Sequence, residues 1–265
     1  MIDAHVHLWR LGVNDCRWPT AADGAIFRDV EAAELIATLD AAGVDRALLV
    51  QSQESARDTA WLLEIAAAEK RIAGVVGWAD LADRAAVVPA PGLKGLRPMV
   101  QGLDADWYDH VPDASWAAMA DAGLVLDALI RPIHLPALAR LAARHPALAI
   151  VIDHGAKPDI AGGTHDAWRE AFAAVAERPN VCCKLSGLLT EKAPDQPTEA
   201  VLPYVATLLD LFGAERLIWG SDWPVLTGAG DYRRWLTLAQ EAVPAAHHRA
   251  VFNDNAARVY RLSAA

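Results

Sequence analysis

The sequence predicts one (β/α)8 barrel, on the evidence of the number, spacing and apolar character of its strands. Eight short apolar runs alternate with longer amphipathic ones over about 250 of the 265 residues. Successive runs start about 31 residues apart on average, close to the roughly 30 residues of a βαβ unit. Runs such as Ala-Leu-Leu-Val are apolar throughout, which is typical of parallel strands covered on both faces. A doubly wound open sheet is the competing fold, but it more often has a glycine-rich turn where this chain has His-x-His.

Predicted strands and helices alternate along the chain. The strands are Ile2–Trp9, Ala47–Gln51, Ile72–Asp80, Leu93–Val100, Val125–Pro132, Ala149–Gly155, Val181–Gly187 and Leu217–Val225. The alanine-rich amphipathic segments predict helices at Asp29–Ala42, Ser55–Lys70, Ser115–Ala122, Leu135–Arg144, Thr164–Glu177, Glu199–Phe212, Asp231–Ala242 and Ala246–Leu262. A glycine or proline follows several of them, as at Gly43 and Pro146, which is typical of helix ends.

No linker or shift in composition divides the chain, so residues 1–265 are expected to form a single domain. The segment Arg10–Arg28 interrupts the regular alternation directly after the first strand, and it contains Trp18-Pro19 and two glycines. In a barrel this segment lies at the carboxyl end of the strands, where active sites form. We therefore expect an active-site loop at about residues 10–28 that covers the barrel mouth and becomes ordered when a ligand binds.

Charge and cysteine content exclude several classes of protein. The 24 basic and 34 acidic residues give a net charge of −10, and such a surface repels both nucleic acid and anionic membranes. Three cysteines without a C-x-x-C pair do not form a disulfide framework and suit the reducing cytosol. No apolar run reaches the roughly 20 residues that span a bilayer, and polar residues begin too early for a signal peptide. The expected partner is a small molecule in the cytoplasm.

Polar residues at the ends of three apolar strands indicate a shared site. His5 and His7, two residues apart on the first strand, project to the same side. His154 ends the sixth strand and Asp222 ends the eighth, so both converge on that pair if the side is the barrel interior. One such histidine alone is better explained as a hydrogen-bonded core residue. Three imidazoles and a carboxylate together can bind one divalent ion, Zn²⁺ or Mn²⁺.

Two segments resemble the amidohydrolase superfamily. Ile-Asp-Ala-His-Val-His-Leu-Trp near the N-terminus and Ile-Trp-Gly-Ser-Asp-Trp-Pro near the C-terminus are specific when they occur together. They are similar to the amidohydrolase 2 branch, which contains sugar-acid lactonases and 2-pyrone-4,6-dicarboxylate lactonase. Weaker similarities at Gly92–Pro98, Ile152–Gly155 and Asn253–Tyr260 extend the resemblance over most of the chain. The resemblance implies a distorted (β/α)8 barrel, hydrolysis at a carbonyl, and an active-site core formed by His5, His7, His154 and Asp222.

The chain departs from the pattern of superfamily members with two metals. Those members use a carboxylated lysine or a glutamate on the fourth strand and a histidine that ends the fifth. Here the fifth strand contains no histidine, and His134, beyond Pro132, is expected to be an exposed loop residue. Lys94 lies near the start of the fourth strand, which predicts a place at the surface or the barrel bottom. At most one ion is therefore expected, and the lactonase branch includes members that require none.

Lactone hydrolysis assigns further roles. The carbonyl must be polarised, a water deprotonated and the ring oxygen protonated. Asp222 is the candidate general base, and the three histidines polarise the carbonyl through a bound ion or as hydrogen-bond donors. Arg97 and Lys184 are candidates to hold substrate hydroxyls or a carboxylate, with an ion pair inside the barrel as the alternative for each.

Neutral and aromatic side chains at the predicted strand ends complete the candidate substrate site. Gln51, with its neighbours Ser52 and Gln53, ends the second strand, and Trp78 and Asp80 end the third. Aromatic rings stack well on sugars, so the tryptophans at strand ends are candidate ligand contacts, with core packing as the alternative. They are Trp9, Trp18, Trp78, Trp219 and Trp223.

The predicted function is the opening of a five- or six-membered sugar-acid lactone to the free acid, on a fucono-, rhamnono- or galactonolactone. Few arginines lie near the predicted mouth, which favours a neutral polyhydroxylated lactone over an aromatic diacid. The alternatives are a metal-dependent decarboxylase, a lactonase of the pyrone-dicarboxylate type, and a barrel that binds a sugar acid without turnover.

Overall fold

Eight parallel strands form one sheet in which each strand pairs with the next in sequence. In the computed structural model, which describes residues 1–263, the strands are β1 (Ile2–Val6), β2 (Arg46–Val50), β3 (Ile72–Gly77), β4 (Leu93–Leu96), β5 (Val125–Ala128), β6 (Ile150–Ile152), β7 (Val181–Leu185) and β8 (Leu217–Trp219). Two backbone hydrogen bonds join β1 to the segment after β8: Asp222 N–H donates to His5 O (2.9 Å) and His7 N–H donates to Trp223 O (2.8 Å). The predicted (β/α)8 barrel is confirmed.

Helices cover the outside of the barrel. They are α1 (Ala32–Ala42), α2 (Ala56–Ala68), α3 (Trp107–His110), α4 (Asp113–Asp121), α5 (Leu135–Arg144), α6 (His165–Ala176), α7 (Leu202–Phe212), α8 (Tyr232–Ala242) and α9 (Asn255–Val259). Helix α1 ends at Gly43, whose φ of 69° is left-handed, and α2 begins at Ser55, whose hydroxyl accepts from two backbone N–H groups. None of the helices within residues 1–263 has the length and hydropathy needed to cross a bilayer.

The structure differs from the sequence prediction in three respects. The strands end earlier, because the chain turns out of the sheet at residues such as Asp222, whose φ is 62°. Short helix α3 was not predicted. The helix predicted for Ala246–Leu262 is present but irregular and shorter: its backbone passes from a 3₁₀ turn through a π-helical turn at Ala250–Asp254 into α9, which ends at Val259.

The barrel interior is apolar at the bottom and polar at the top. Side chains of the strands, including Ile2, Leu48 and Val151, form a buried cluster with Tyr260 from the C-terminal segment, which closes the bottom. Above this layer the inward-facing positions carry charged and hydrogen-bonding side chains. The functional groups therefore lie at the carboxyl ends of the strands, as is usual for this fold.

Candidate active site

The structure brings the four predicted core residues together at the place where the barrel closes. His7 Nε2 lies 3.2 Å from both His5 Nε2 and Asp222 Oδ1. Asp222 Oδ1 also lies 3.7 Å from His5 Nε2 and 3.8 Å from His154 Nε2. All four side chains are buried. The convergence depends on left-handed backbone at His154 (φ 53°) and Asp222 (φ 62°), which turns each side chain inward after its strand ends.

A register shift in β1 and a buried carboxylate hold His5 in place. Ile2 and Ala4 belong to the apolar interior, yet the next residue, His5, also reaches the interior because the pairing of β1 shifts between Asp3 and Val6. Asp3 accepts hydrogen bonds from His5 N (3.1 Å) and Ser221 N (2.9 Å), which ties β1 to the segment after β8. Burial raises the pKa of Asp3 to about 6, although these hydrogen bonds and that from Tyr232 lower it.

Hydrogen bonds determine which nitrogen of each histidine is available. His7 Nδ1 donates to Val50 O (2.7 Å), which leaves Nε2 with a lone pair. Lys184 Nζ donates to His5 Nδ1 (3.0 Å), an arrangement that puts the ring proton on His5 Nε2. Asp153 Oδ1 lies 3.4 Å from the same His5 Nδ1 and can accept its proton when His5 uses Nε2 as a ligand.

The charge states suit hydrolysis. Burial alone would raise the pKa of Asp222, but His154 and His7 outweigh it and hold that pKa well below its ordinary value. Burial lowers the pKa of His154 to about 4 and, with the Lys184 charge, lowers the pKa of His5 further below its usual range. At neutral pH the site therefore holds an ionised Asp222 beside the neutral imidazoles of His5 and His154, the forms that ligate a metal or accept a proton.

A cavity of about 290 Å³ opens onto these groups, and we call it the active-site cavity. Its predicted lining residues are His7, Trp18, Ser52, Arg97, His154 and Asp222. Sequence reasoning did not identify the others, which are Met99, Gln101, Leu129, Lys157 and Val225. A larger cleft of about 790 Å³ lies at the opposite end of the barrel, around Asp40–Arg46 and Lys70–Ala73. It contains no histidine, and its Arg71 is paired with Asp40, so it does not compete as a catalytic site.

Within residues 1–263, two groups of side chains could hold a cation. His5, His154 and Asp222 each offer a ligand atom within 4.8 Å of the others, and they fit one metal ion, with His7 Nε2 beside them. His5, Asp127 and Asp153 form the second group. The ammonium group of Lys184 already lies between the two carboxylates of that second group, so a cation is in place there.

Arg97 and Lys184 lie at different depths along the barrel axis. Arg97 lines the active-site cavity, with Nη1 3.4 Å from His5 Nε2 and 3.5 Å from Asp153 Oδ2. Lys184 is fully buried below His5 and pairs with Asp127 and Asp153. Its expected contact with substrate is therefore wrong, and the ion pair inside the barrel is what the structure shows, because His5 stands between Lys184 and the cavity.

Of the polar residues that follow β2 and β3, only some line the active-site cavity. Ser52 lines the cavity, whereas Gln51 is buried beside it and donates through Nε2 to Arg97 O (2.6 Å). Gln53 accepts from Arg17 N (2.9 Å) and donates to Trp18 O, so it anchors the loop at residues 10–28. Asp80, expected to bind substrate, is exposed and caps a turn by accepting from Ala82 N.

Among the predicted aromatic contacts, Trp18 lines the cavity. Trp9 is buried behind it, 5.3 Å between ring centroids, and donates to Arg28 O (2.7 Å). Trp223 is buried where the barrel closes, and Trp78 lies against α2, where its backbone N–H donates to Thr59 Oγ1 (2.8 Å). The expected ligand contacts of these three are not supported, because their rings are not among the cavity lining. Trp219 is also core, packed near Tyr232 and Phe252.

The expectation for His134 is wrong. The residue is fully buried, its Nδ1 accepts from Arg131 N (3.1 Å), and its Nε2 donates to Leu103 O (3.1 Å). It joins the start of α5 to the loop after β4, which explains its burial beyond the strand. Lys94 lies at the barrel bottom, where its Nζ donates to Arg261 O (3.3 Å).

Sequence reasoning missed the charged layer below the histidines. Asp127, Asp153 and Tyr260 surround Lys184, and Tyr260 donates to Asp127 Oδ1 (2.7 Å). Ser186, at 2.8 Å from His154 Nδ1, orients that ring. Asp127 could have been found by the criterion that identified His5, namely a polar residue inside an apolar strand. Nothing in the sequence around Ser186 indicated its contact with His154.

The chain is similar to known proteins over nearly its full length. The family model described as "Amidohydrolase" matches residues 2–262. The chain is 45% identical to L-fucono-1,5-lactonase of Burkholderia ambifaria, over 98% of this chain and 95% of that protein. It is 36% identical to L-fucono-1,5-lactonase of Burkholderia multivorans, over 98% and 96% of the two chains. A crystal structure of an amidohydrolase from Burkholderia multivorans with bound zinc is similar with a TM-score of 0.90, at 32% identity and 99% coverage of both chains.

Proposed function

This chain belongs to the amidohydrolase family, and we propose that it opens an aldonolactone, with L-fucono-1,5-lactone as the substrate, to the free aldonic acid. It is a hydrolase of carboxylic ester bonds, since a lactone is a cyclic ester and both relatives named above are lactonases. Those names favour lactone hydrolysis over decarboxylation, over the pyrone-dicarboxylate reaction and over binding without turnover.

The observation that carries the proposal is the floor of the active-site cavity. An ionised Asp222 lies beside His7 and His154 in a space of about 290 Å³. This volume is just below the roughly 300–1,000 Å³ typical of small-molecule sites, which suits a ligand as small as one sugar ring. The wall offers hydrogen-bonding groups of Ser52 and Arg97 for hydroxyls, together with the ring of Trp18.

Asp222 acts as the general base. It takes a proton from water as the water oxygen bonds to the lactone carbonyl carbon, and it returns the proton to the ring oxygen as the ring C–O bond breaks. Arg97 Nη1, in the cavity wall, helps to stabilise the negative charge that develops on the carbonyl oxygen. The product acid then loses its proton to solvent.

We propose one divalent ion, zinc or manganese, held by His5, His154 and Asp222 with His7. The imidazole-rich donor set favours zinc, and the zinc-containing structure of the Burkholderia multivorans relative supports this assignment. When bound, the ion would polarise the carbonyl and acidify a water. Asp153 would then hold the Nδ1 proton of His5.

We also propose that the loop at residues 10–28 covers the active-site cavity, because Trp18 belongs to its wall. The cytosol is the proposed location, which the free, buried thiols of Cys182 and Cys183 support. The proposed partner is the small sugar-acid lactone alone, with neither nucleic acid nor a membrane surface.

The test is a pH-indicator assay over a panel of aldonolactones, since each ring opening releases a proton. We expect turnover of L-fucono-1,5-lactone and its close stereochemical relatives, loss of activity with a chelator, and recovery with zinc. Absence of turnover on every aldonolactone would refute the lactonase proposal. Full activity of a metal-free preparation would refute only the proposed ion.

Asp222→Asn is expected to lower kcat at least about 100-fold with little change in melting temperature, because the amide fills the same space but accepts no proton. The matched control is Asp80→Asn, the same change at an exposed carboxylate outside the cavity. We expect that control to keep wild-type kcat. Retained turnover in Asp222→Asn would remove Asp222 from the role of base.

A further inference from the structure

The segment that follows β6 has an unusual backbone. His154, Gly155, Ala156 and Lys157 have φ values of 53°, 55°, 57° and 51°, so four consecutive residues form one left-handed turn. Left-handed backbone is unfavourable for residues other than glycine, and it persists only where surrounding contacts hold it. Three of the four residues here are not glycine, which points to a functional reason for the turn.

Buried hydrogen bonds hold this left-handed turn from two sides. Trp168 on α6 donates through Nε1 to Gly155 O (2.8 Å), and Lys157 N–H donates to His154 O (2.9 Å). Ser186 Oγ lies 2.8 Å from His154 Nδ1. The consequence is that His154 and Lys157, three residues apart, both line the active-site cavity.

Lys157 presents a cation to this cavity. Its Nζ donates to Glu191 Oε1 (3.1 Å), and the two side chains are only 19% and 15% exposed. An ammonium group has three hydrogens, and Glu191 is the one hydrogen-bond acceptor found for Lys157 Nζ among residues 1–263. Hydrogens therefore remain on Lys157 Nζ for a ligand, beside Arg97, the other cation of the cavity wall, whose Nη2 donates to Gln51 O and whose Nη1 lies near Asp153.

We propose that Lys157 is a substrate-contacting residue whose ammonium group binds the lactone carbonyl oxygen and then the carboxylate that this oxygen becomes. The inference rests on the proposed lactonase function. The lactone is neutral and the aldonate product is an anion, so a cation in the wall favours the developing oxyanion and the product over the substrate.

Glu191 has a distinct part in this proposal. Its carboxylate positions the ammonium group and offsets its charge, which limits how tightly the anionic product is held. Removal of the Lys157 charge should therefore weaken aldonate binding, whereas removal of the Glu191 charge should strengthen it. If the ion pair had a purely structural role, both substitutions would change stability, but they would not change aldonate affinity in opposite directions.

The experiment measures binding of L-fuconate to the purified holoenzyme by calorimetry, and product inhibition of lactone hydrolysis. Lys157→Met is expected to weaken L-fuconate binding about 10- to 100-fold, the loss typical of a charged hydrogen bond, with a smaller change in KM for the neutral lactone. Glu191→Gln keeps an oxygen that accepts from Lys157 but removes the charge, and it is expected to tighten L-fuconate binding severalfold.

The matched control is Lys192→Met. Lys192 lies on the same loop as Glu191, but its Nζ donates to the backbone oxygens of Ala193 and Gln196, and it does not line the active-site cavity. We expect this variant to bind L-fuconate as the wild type does. If Lys157→Met is poorly folded, Lys157→Arg, which keeps the charge, and Glu191→Gln decide the question.

The outcomes separate this inference from the function on which it rests. Unchanged L-fuconate affinity in folded Lys157→Met, or weaker affinity in Glu191→Gln, overturns the role of Lys157 while lactone turnover by the wild type still stands. A wild type that turns over no aldonolactone overturns the proposed function and this inference with it.

Discussion

Lys184 shows most clearly how one residue organises the site. Its ammonium group, buried at the centre of the barrel, contacts Asp127, Asp153 and His5 at once. Burial raises the pKa of Asp127 to about 6, partly offset by Lys184. For Asp153 the charge of Lys184, together with the contact from His5, outweighs burial and depresses the pKa. This layer supports the histidines from below and fixes the orientation of His5.

Lys184→Met should lower the free energy of unfolding by about 3 kcal/mol or more, because it leaves two buried carboxyl groups without their cation. Urea unfolding measures the change. The comparison variant is Lys94→Met, a partly exposed lysine at the barrel bottom, which should cost less than about 1 kcal/mol. A similarly small cost for Lys184→Met would show that the buried network does not stabilise the fold.

At the scale of elements, glycines allow the segments after the strands to pack closely. Gly187 follows β7 with a φ of 64°, and a Cβ there would lie 2.4 Å from His154 Nδ1 and 2.8 Å from His154 Cβ. Gly220, after β8, approaches His5 in the same way, with 2.8 Å between its would-be Cβ and His5 Cβ. His154 and His5 thus lie against backbone that has no room for a side chain.

Gly187→Ala is expected to lower kcat about 10- to 100-fold, because it displaces His154 from Ser186 and from the active-site cavity. Steady-state kinetics on the lactone measures the effect. Gly213→Ala is the matched control, since Gly213 also has a φ of 64° but open space around it. Both variants should lose stability, and only Gly187→Ala should lose turnover; equal kcat in the two would contradict the proposed clash.

At the scale of the whole molecule, the same contacts that close the barrel also bring the site residues together. The hydrogen bonds between β1 and the segment after β8 involve the backbones of His5, His7 and Asp222 themselves. At the other end Tyr260 closes the interior and donates to Asp127, so the C-terminal segment is connected to the charged layer. The arrangement of His5, His7 and Asp222 therefore depends on the complete fold.

Stability should depend on pH through Asp58, which is buried near the start of α2. Burial raises its pKa to about 7 from the usual 3.8, against a hydrogen bond from the Ser52 backbone and the charge of Arg97. Between about pH 4 and 7 the folded state binds this proton and the unfolded state does not, so the contribution of Asp58 to stability falls as pH rises.

Asp58→Asn removes that dependence, because the amide has no proton to lose. At pH 8 the variant should be more stable than the wild type by about 1–3 kcal/mol, and near pH 4 the two should be similar. Chemical denaturation across pH 4–8 measures the difference. Exposed Asp104→Asn should shift stability by less than about 0.5 kcal/mol at every pH; an equal shift at pH 4 and 8 in Asp58→Asn would contradict the assignment.

Much of the fold and the core of the site could be predicted from the chain alone. Apolar runs at barrel spacing identified the strands, and polar residues at their ends identified His5, His7, His154 and Asp222, because burying such groups without use is costly. The same reasoning failed for Lys184, Trp78 and Asp80. A residue at a strand end can face the cavity, the layer below it or the outside, and local pattern does not distinguish these directions.

The sequence by itself determined the barrel, the end at which polar side chains gather and the types of those residues, since periodicity and polarity are properties of the chain. The tertiary structure decided which nitrogen of each histidine is free, that Lys184 lies beneath His5, and that a left-handed turn carries Lys157 to the cavity. These depend on distances of a few ångströms between residues far apart in sequence, and such distances exist only after the barrel has closed.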